Sequence, residues 1–321
     1  MSSLSQRTSS FATKFIDFEE VRSKKDKVDN SKRNDLPNAH ELFLTAIVAN
    51  EDLETTLKIL QGYCAMSPIN VLTRKLTWEG PRTRTPSGID PRFLKNQPAK
   101  NVPEWTGLSA QLARQSYILH LLYEVDRQTF GKAADESTPL SQYNAAVSPL
   151  DRRPGILRWN DLPDPTEITK LSNTRLSDLG ATRPVNSRLM FSIENLGLCS
   201  LMNIIKHKFI GEVIQESNRF VHGDVVFELT RYLQLPVNES EGPSYSRSEL
   251  PAFDTLTPFD SENKWILTAF TVVTKGDDPD QMKKGIDQLV AIKGDFEGCF
   301  DFKRCLQRPN SKYPIRSMPS L

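Results

Sequence analysis

Alternation of apolar and polar residues predicts a long β-hairpin over residues 206–235. In the second arm, apolar side chains alternate with polar ones, which is the pattern of a half-buried strand, at Val225, Phe227, Leu229, Leu233 and Leu235, with Arg231 as the single polar break. Gly223 lies between the two arms and can adopt the positive φ that a tight hairpin turn requires. Just before the hairpin, apolar residues spaced three and four apart predict a helix over 194–205 that packs against it.

Similar patterns predict the remaining elements. Apolar-rich segments predict strands at 40–49, 69–78, 116–127, 155–159 and 264–275, and a short one near 296–302. The first and the fifth of these strands are apolar on both faces, so each requires a cover on both sides. Asn50 is expected to cap a helix that ends near Cys64, and Asp278 to cap another that starts at Pro279 and ends near Gly294. Residues 164–184 are expected to hold one helical turn.

Stretches rich in proline and charge separate these elements and set the predicted domain organisation. We expect a disordered N-terminal tail at 1–37, a single domain at 38–306 and a C-terminal tail at 307–321. Surface insertions are expected at 79–113, 128–154 and 236–263. Helices do not separate every pair of strands, and closure removes exposed sheet edges. The predicted fold is therefore α+β and mainly β: a closed antiparallel β-barrel of about eight or more strands with a few flanking helices.

Charge and composition narrow the function classes. The chain of 321 residues has 41 Lys and Arg against 40 Asp and Glu, a net charge of +1 that gives no long-range attraction to nucleic acid or anionic membranes. Direct nucleic-acid binding would depend on a local group, Arg74, Lys75, Arg82 and Arg84, and is disfavoured. The basic residues between Arg22 and Arg33 are either a nuclear import signal or a solvated tail.

Cysteine spacing and hydropathy indicate the compartment. The four cysteines, Cys64, Cys199, Cys299 and Cys305, show no CxxC spacing, so reduced thiols of an intracellular protein are expected. The N-terminus has no apolar signal-peptide core, and no run of about 18 apolar residues occurs. We expect a soluble protein without a metal site or cofactor.

Four sequence blocks resemble the Mediator subunit 18 family, in a fungal version. They are HELFLTAIVANEDLETTLKILQGYCAMSP, GILRWNDLPDP, IENLGLCSLMNIIKHKFIGEVIQESNRFVHGDVVFELTRYL and ILTAFTVVTK with the helix after it. The specificity lies in the order and character of the blocks, since the family has no short invariant motif. The third block carries the resemblance most strongly, and residues 79–154 carry it least.

The resemblance implies a β-barrel with flanking helices in the head module of Mediator, which regulates transcription by RNA polymerase II in the nucleus. It implies a heterodimer with Mediator subunit 20, a related barrel, and a tether from the C-terminal helix of Mediator subunit 8. The family supplies no catalytic residues, so we expect a scaffold or adaptor that contacts the transcription machinery.

From the residues themselves, we single out Tyr232, Trp265 and Phe270 as candidates for partner binding. Tyr232 lies on the polar face of its strand, while Trp265 and Phe270 lie on opposite faces of theirs, and aromatic residues are enriched at interfaces. The alternative is that all three are ordinary core aromatics. A partner helix would cover strand faces that the chain's own helices leave open.

The rival function is a tunnel-type barrel enzyme that hydrolyses triphosphates with a divalent metal. It would require several carboxylates converging inside the barrel. Glu124 and Asp126 share a strand face, and so do Glu212 and Glu216, but isolated charged pairs are typical of solvated faces. We therefore expect no catalytic residues.

Overall fold

The computed structural model describes residues 39–81, 88–95, 97–98, 101–114, 118–131, 148–163, 184–236 and 249–303. Within them the strands are β1 His40–Val48, β2 Ile69–Glu79, β3 Ile118–Glu124, β4 Gly155–Asn160, β5 Asn186–Asn195, β6 Lys208–His222, β7 Val225–Gln234, β8 Thr257–Pro258 and β9 Trp265–Val273. The α-helices are α1 Leu53–Cys64, α2 Pro91–Lys95, α3 Val102–Leu112, α4 Leu198–Ile204 and α5 Pro279–Asp295.

Eight of the strands form a closed antiparallel barrel. Their order is β6-β2-β3-β4-β5-β1-β9-β7, and β6 also pairs with β7, which closes the ring. The two-residue strand β8 adds to β7 next to Leu233 and Gln234. The barrel fold and the mainly β composition predicted from the sequence are confirmed.

The predicted hairpin is β6 and β7, joined through Gly223, whose φ is +59°. This confirms the turn expected from the sequence. Asp278 caps α5 by accepting hydrogen bonds from the backbone N–H groups of Asp280 and Gln281, as its position before Pro279 predicts.

Helices pack on the outside of the barrel wall. On one side, α1 and α5 cover the outward residues of β1, β7 and β9, which include Leu42, Leu44 and Leu267. On the other side, α3 and α4 cover β2 to β5, around Trp105, Leu121 and Trp159. The outward faces of both strands predicted to need a cover, β1 and β9, are thus covered by this chain's own helices.

Part of the predicted insertion 79–113 belongs to the core, so the prediction of a surface loop there is wrong. Helix α3 buries Trp105, Leu108 and Leu112, with Trp105 and Leu108 fully inaccessible to solvent. A helix was missed because prolines and charged residues precede it and its apolar face is short. The barrel therefore has five flanking helices within the described residues, where three were expected.

Three local expectations are also corrected. The helix predicted over 194–205 begins only at Leu198, because β5 runs to Asn195 and Gly197 turns the chain with a φ of +69°. Asn50 makes no capping hydrogen bond, since its side chain accepts from Trp265 instead. No strand forms over 296–302: Phe296 and Phe302 pack into the core, and a single bridge joins Lys303 to Thr45.

The other predicted insertions are only partly described. In 128–154, residues 132–147 lie outside the described residues, and Leu150 is buried in a short 3₁₀ turn at Pro149–Arg152. In 236–263, residues 237–248 lie outside, and the remainder contains β8 and the buried Leu250. Both predicted tails, the basic group before residue 34, Cys305 and nearly all of 164–184 also lie outside the described residues.

Candidate partner interface at the barrel rim

The barrel has an inverted pattern, in which the outward side beneath the helices is mainly apolar and the interior is mainly polar. Residues directly opposite each other on paired strands share one face of the sheet. The interior face can therefore be followed from Glu41 to Arg188, and from Glu228 to Thr268. Their sequence neighbours, such as Leu42 and Leu267, lie in the helix-packed core. The interior thus collects charged and hydroxyl groups from all around the ring.

Ion pairs stabilise part of this interior. The guanidinium of Arg188 pairs with Glu41 on the adjacent strand, and Nη2 of Arg219 lies 2.8 Å from Oε1 of Glu228. Ser217 and Thr230 share a buried hydroxyl hydrogen bond of 2.9 Å across β6 and β7. These cross-strand contacts join neighbouring strands on the interior side.

Large apolar side chains are exposed at one end of the barrel, where β1, β2, β4 and β7 end and β3, β5, β6 and β9 begin. We call this set the apolar rim. Its members, with exposed fractions of 64, 45, 71, 48 and 58%, are Ile47, Ile118, Leu162, Ile210 and Phe259. Around the ring they lie at the end of β1, beside the end of β7, at the start of β6, at the start of β3 and just after β4. Of the eight large apolar residues exposed in the described part of the chain, five belong to this rim.

Backbone pairing fixes several rim residues in place. The N–H of Phe259 donates to the carbonyl of Tyr232 at 2.8 Å, which holds the segment after β8 against β7. Ile47 lies opposite Ile266 on β9, and Ile118 lies opposite Glu79 on β2. These residues are therefore exposed on well-defined strand ends.

The three aromatic residues selected from the sequence lie within the barrel wall, Tyr232 and Trp265 near this end and Phe270 toward the other end. Trp265 is only 2% exposed: its Nε1 donates to Oδ1 of Asn50 at 3.1 Å, and the guanidinium of Arg231 lies 4.7 Å from its ring. Phe270 is half-buried and faces the interior opposite Phe43. The side chain of Trp265 is thus occupied by contacts within this chain.

Tyr232 also faces the interior and is half-buried. Burial raises the pKa of its hydroxyl, with a further contribution from Glu228. The ammonium group of Lys75 lies 5.2 Å from its ring centroid. Tyr232 therefore lies just below the rim and lines the barrel mouth.

The rim residues were not identified from the sequence. One signal was present in β1. Ile47 is an aliphatic residue on the same strand face as Glu41, Phe43 and Thr45. The exposed positions Leu162 and Phe259 lie beyond strand ends, and only the closure of the barrel brings them to one rim. Alternation alone does not reveal that placement.

The carboxylates considered for a triphosphate hydrolase do not converge. Glu124 is exposed at the end of β3, and Asp126 accepts a hydrogen bond from the N–H of Gln128 in a short turn. Glu212 and Glu216 are ion-paired on the outward face of β6, with Arg74 and Arg231 respectively. Over the described ranges, no group of three or more His, Cys, Asp and Glu residues is arranged to hold a metal ion.

The basic residues considered for nucleic-acid binding do not form one described surface. Arg74 is buried on the outward face, while Lys75 faces the interior. Arg82 and Arg84 lie outside the described residues. Among the helices that are described, none is both long and apolar enough to cross a membrane.

Comparison with known proteins places the chain in a family. The family model described as "Med18 protein" matches residues 40–306. Mediator of RNA polymerase II transcription subunit 18 from Aspergillus fumigatus is 27% identical over 256 residues, which covers 79% of this chain and 91% of that protein. The same subunit from Aspergillus oryzae is 25% identical over 268 residues, with coverage of 79% and 92%.

The fold has a counterpart among solved structures. A chain in the structure of the Schizosaccharomyces pombe Mediator head module matches with a TM-score of 0.53 and 15% identity, over 83% of this chain and 98% of that one. At that identity the match concerns the fold, and the family model carries the assignment. The chain belongs to the Med18 family.

Proposed function

We propose that this protein is a non-enzymatic subunit of the Mediator head module that acts as a scaffold or adaptor in the regulation of RNA polymerase II transcription. The family match and the names of the curated relatives support this assignment, and a nuclear location follows from it. The observation that carries the scaffold role is the apolar rim, an exposed surface suited to protein contact.

The rim has the character of a protein interface. Five of the eight large apolar residues exposed in the described part of the chain lie at this one end, and exposed apolar surface gathered in one region marks sites of interaction. Isoleucine, leucine and phenylalanine at strand ends offer a shaped surface with little conformational entropy to lose on binding. The surrounding strand ends keep these side chains in defined positions, which reduces the cost of binding.

We propose Mediator subunit 20 as the protein that covers the rim, because the resemblance implies that this related barrel forms a heterodimer with the present chain. The C-terminal helix of Mediator subunit 8 is the second proposed partner. The outward faces of β1 and β9 are already covered by α1 and α5, so a partner helix is not required there. Tyr232 would contribute from below the rim and Trp265 would support it from inside the wall, whereas Phe270 would line the interior toward the other end of the barrel.

Coexpression tests the proposal. The full-length chain, subunit 20 of the same organism and the C-terminal segment of subunit 8 are purified together, and the mass is measured by light scattering. A single species at the summed mass is expected. If the chain elutes alone and well folded, the partner assignment fails.

Rim variants test the surface. Ile47→Ser and Ile210→Ser are each expected to weaken the complex at least about tenfold, as loss of a central apolar contact does. Val290→Ser is the matched control, since Val290 is exposed on α5, away from the rim. A complex that tolerates both rim variants as well as the control would show that the rim is not the interface.

A further inference from the structure

Positive groups from three strands on one side of the barrel converge in its interior beneath the apolar rim. Lys75 lies on β2, Arg158 on β4 and Arg188 on β5. The registers place all three on the interior face: Lys75 is opposite Leu122, Arg158 is opposite His120, and Arg188 is opposite Glu41. Their sequence neighbours, such as Leu76, Leu157 and Leu189, pack against the helices.

These groups influence one another electrostatically across the interior. Burial, followed by the charges of Arg158 and Arg188, lowers the pKa of Lys75 to about 8, and Glu228 opposes the shift. Burial, followed by Lys75 and the same two arginines, lowers the pKa of His120 to about 3. Residues on four strands thus share one region of positive potential.

Two of these cations have no carboxylate partner in the part of the chain that the structure describes. Arg188 is paired with Glu41, and the nearby Arg219 is paired with Glu228. Lys75 makes no ion pair with the described residues: the ring of Tyr232 lies 5.2 Å from its ammonium group, and Glu228 acts on it from beyond ion-pair distance. The Nε of Arg158 is buried and makes no hydrogen bond. Charges withdrawn from water are normally paired in proteins, so half-buried cations without an ion-pair partner favour the binding of an anion.

We infer that the barrel interior binds a phosphate-class oxyanion, held by the ammonium group of Lys75 and the guanidinium of Arg158, with Arg188 contributing positive potential. A guanidinium offers paired donors that match oxyanion geometry, and an ammonium adds a compact charge. The interior of an eight-stranded barrel suits a side chain or one small ligand, which favours a free anion over a folded segment. Binding alone is inferred; no bond is made or broken.

Calorimetric titration of the full-length chain tests this site, with inorganic phosphate and inorganic triphosphate as probes and sodium chloride at matched ionic strength as the reference. Saturable one-site binding is expected, tighter for triphosphate because it spans more of the positive groups. The melting temperature should rise with the concentration of either probe, as linkage requires. No saturable heat with either anion would overturn the inference.

Three variants separate the site from general salt effects. Lys75→Met and Arg158→Met are each expected to weaken triphosphate binding at least about tenfold and to reduce the rise in melting temperature. Lys208→Met, which removes an exposed lysine from β6 of the same barrel, should leave both unchanged. Equal binding by all three variants would assign the effect to the protein surface and reject the site.

Folding of the variants is itself informative. Both interior variants remove a half-buried charge that has no ion-pair partner among the described residues, so their melting temperatures without anion should equal or exceed that of the unmodified chain. If Arg158→Met does not fold, Arg158→Lys tests the same contact with the charge retained. The site lies inside the barrel wall, so failure of this test leaves the proposed partner interface untouched.

Discussion

Arg74 on β2 donates two hydrogen bonds to one carboxylate oxygen of Glu212 on β6, from Nε at 2.9 Å and from Nη2 at 2.6 Å. The side chains are only 3% and 7% exposed. The pair lies on the helix-packed side of the wall, where Leu76 is opposite Glu212. An ion pair at such depth makes each partner dependent on the other, because either charge alone would be poorly solvated.

Removing one partner should therefore cost much more than removing both. Glu212→Gln is expected to lower the free energy of unfolding by about 3–5 kcal/mol, since it leaves a buried guanidinium without its counter-charge. The double variant Arg74→Met with Glu212→Leu should recover most of that loss. Denaturant unfolding of the single and double variants measures the difference.

An exposed pair supplies the control for this prediction. Lys58 and Glu54 form an ion pair on the surface of α1, and Glu54→Gln should leave the denaturation midpoint unchanged. A Glu212→Gln variant as stable as the parent would mean that the buried pair contributes nothing to stability.

Gly155 is required by the ring of Tyr123. A Cβ at Gly155 would lie 2.5 Å from Cε1 of this ring, and Tyr123 is only 2% exposed and has little room to move. Gly155→Ala is expected to destabilise the barrel by about 1–3 kcal/mol through overpacking. Thermal and denaturant unfolding are the measurements.

The matched control is Gly62→Ala, at a helical glycine with nothing within 4 Å of the added Cβ. Alanine is the better helix former by about 1 kcal/mol, so this variant should be neutral or more stable. Equal losses from both substitutions would show that space around Gly155 does not decide the effect.

Thiol reactivity should follow burial. Burial raises the pKa of Cys64 to about 11, while Cys299 is exposed. At pH 8 a pKa of about 11 in place of 9 leaves roughly a hundredfold less thiolate, and the thiolate is the reactive form. We expect iodoacetamide at pH 8 to modify Cys299 well before Cys64, measured by peptide mass spectrometry.

Unfolding in guanidinium chloride provides the internal control for this labelling. Once the chain is unfolded, Cys64 loses its buried environment, and its labelling rate should approach that of Cys299. Equal rates in the folded protein would contradict the burial of Cys64, the last residue of α1, among its neighbours in the core.

The sequence predicted the barrel because period-two alternation and hairpin signals are local properties. Gly223 and Asp278 show this, since each acts within a few residues of its position. Asp151 shows the limit. It lies in a segment predicted as an insertion, yet its carboxylate accepts hydrogen bonds from the N–H groups of Cys199 and Ser200 at the start of α4. A hydrogen-bond partner about fifty residues away leaves no local pattern in the sequence.

The candidate site was harder to predict for the same reason. Ile47 and Ile210 are apolar residues in apolar strands, and only barrel closure separates a rim position from a core position. Trp265 was selected for its aromatic character, but its contacts with Asn50 and Arg231 depend on pairing across the fold. Residue type alone did not distinguish a wall position from an exposed one.

The interior charge should make stability depend on pH through Lys75. Its pKa is lowered to about 8 in the folded chain, against 10.5 for the free side chain, so between these values the unfolded state binds more protons. Stability should therefore rise with pH across that window relative to Lys75→Met, by up to the order of 3 kcal/mol. Below pH 8 the full penalty of the buried ammonium group is present.

Subtracting the Lys75→Met data isolates this effect from the other charged groups around Lys75. Those near it on other strands are His120, Arg158, Arg188, Glu228 and Tyr232. The pKa of His120 is lowered to about 3 and that of Tyr232 is raised, which keeps both titrations outside most of the window. Denaturant unfolding at pH 7, 8, 9 and 10 in phosphate-free buffer measures the difference. A constant difference between the two proteins would mean that Lys75 is solvated, because only a desolvated ammonium group loses its proton on folding in this range.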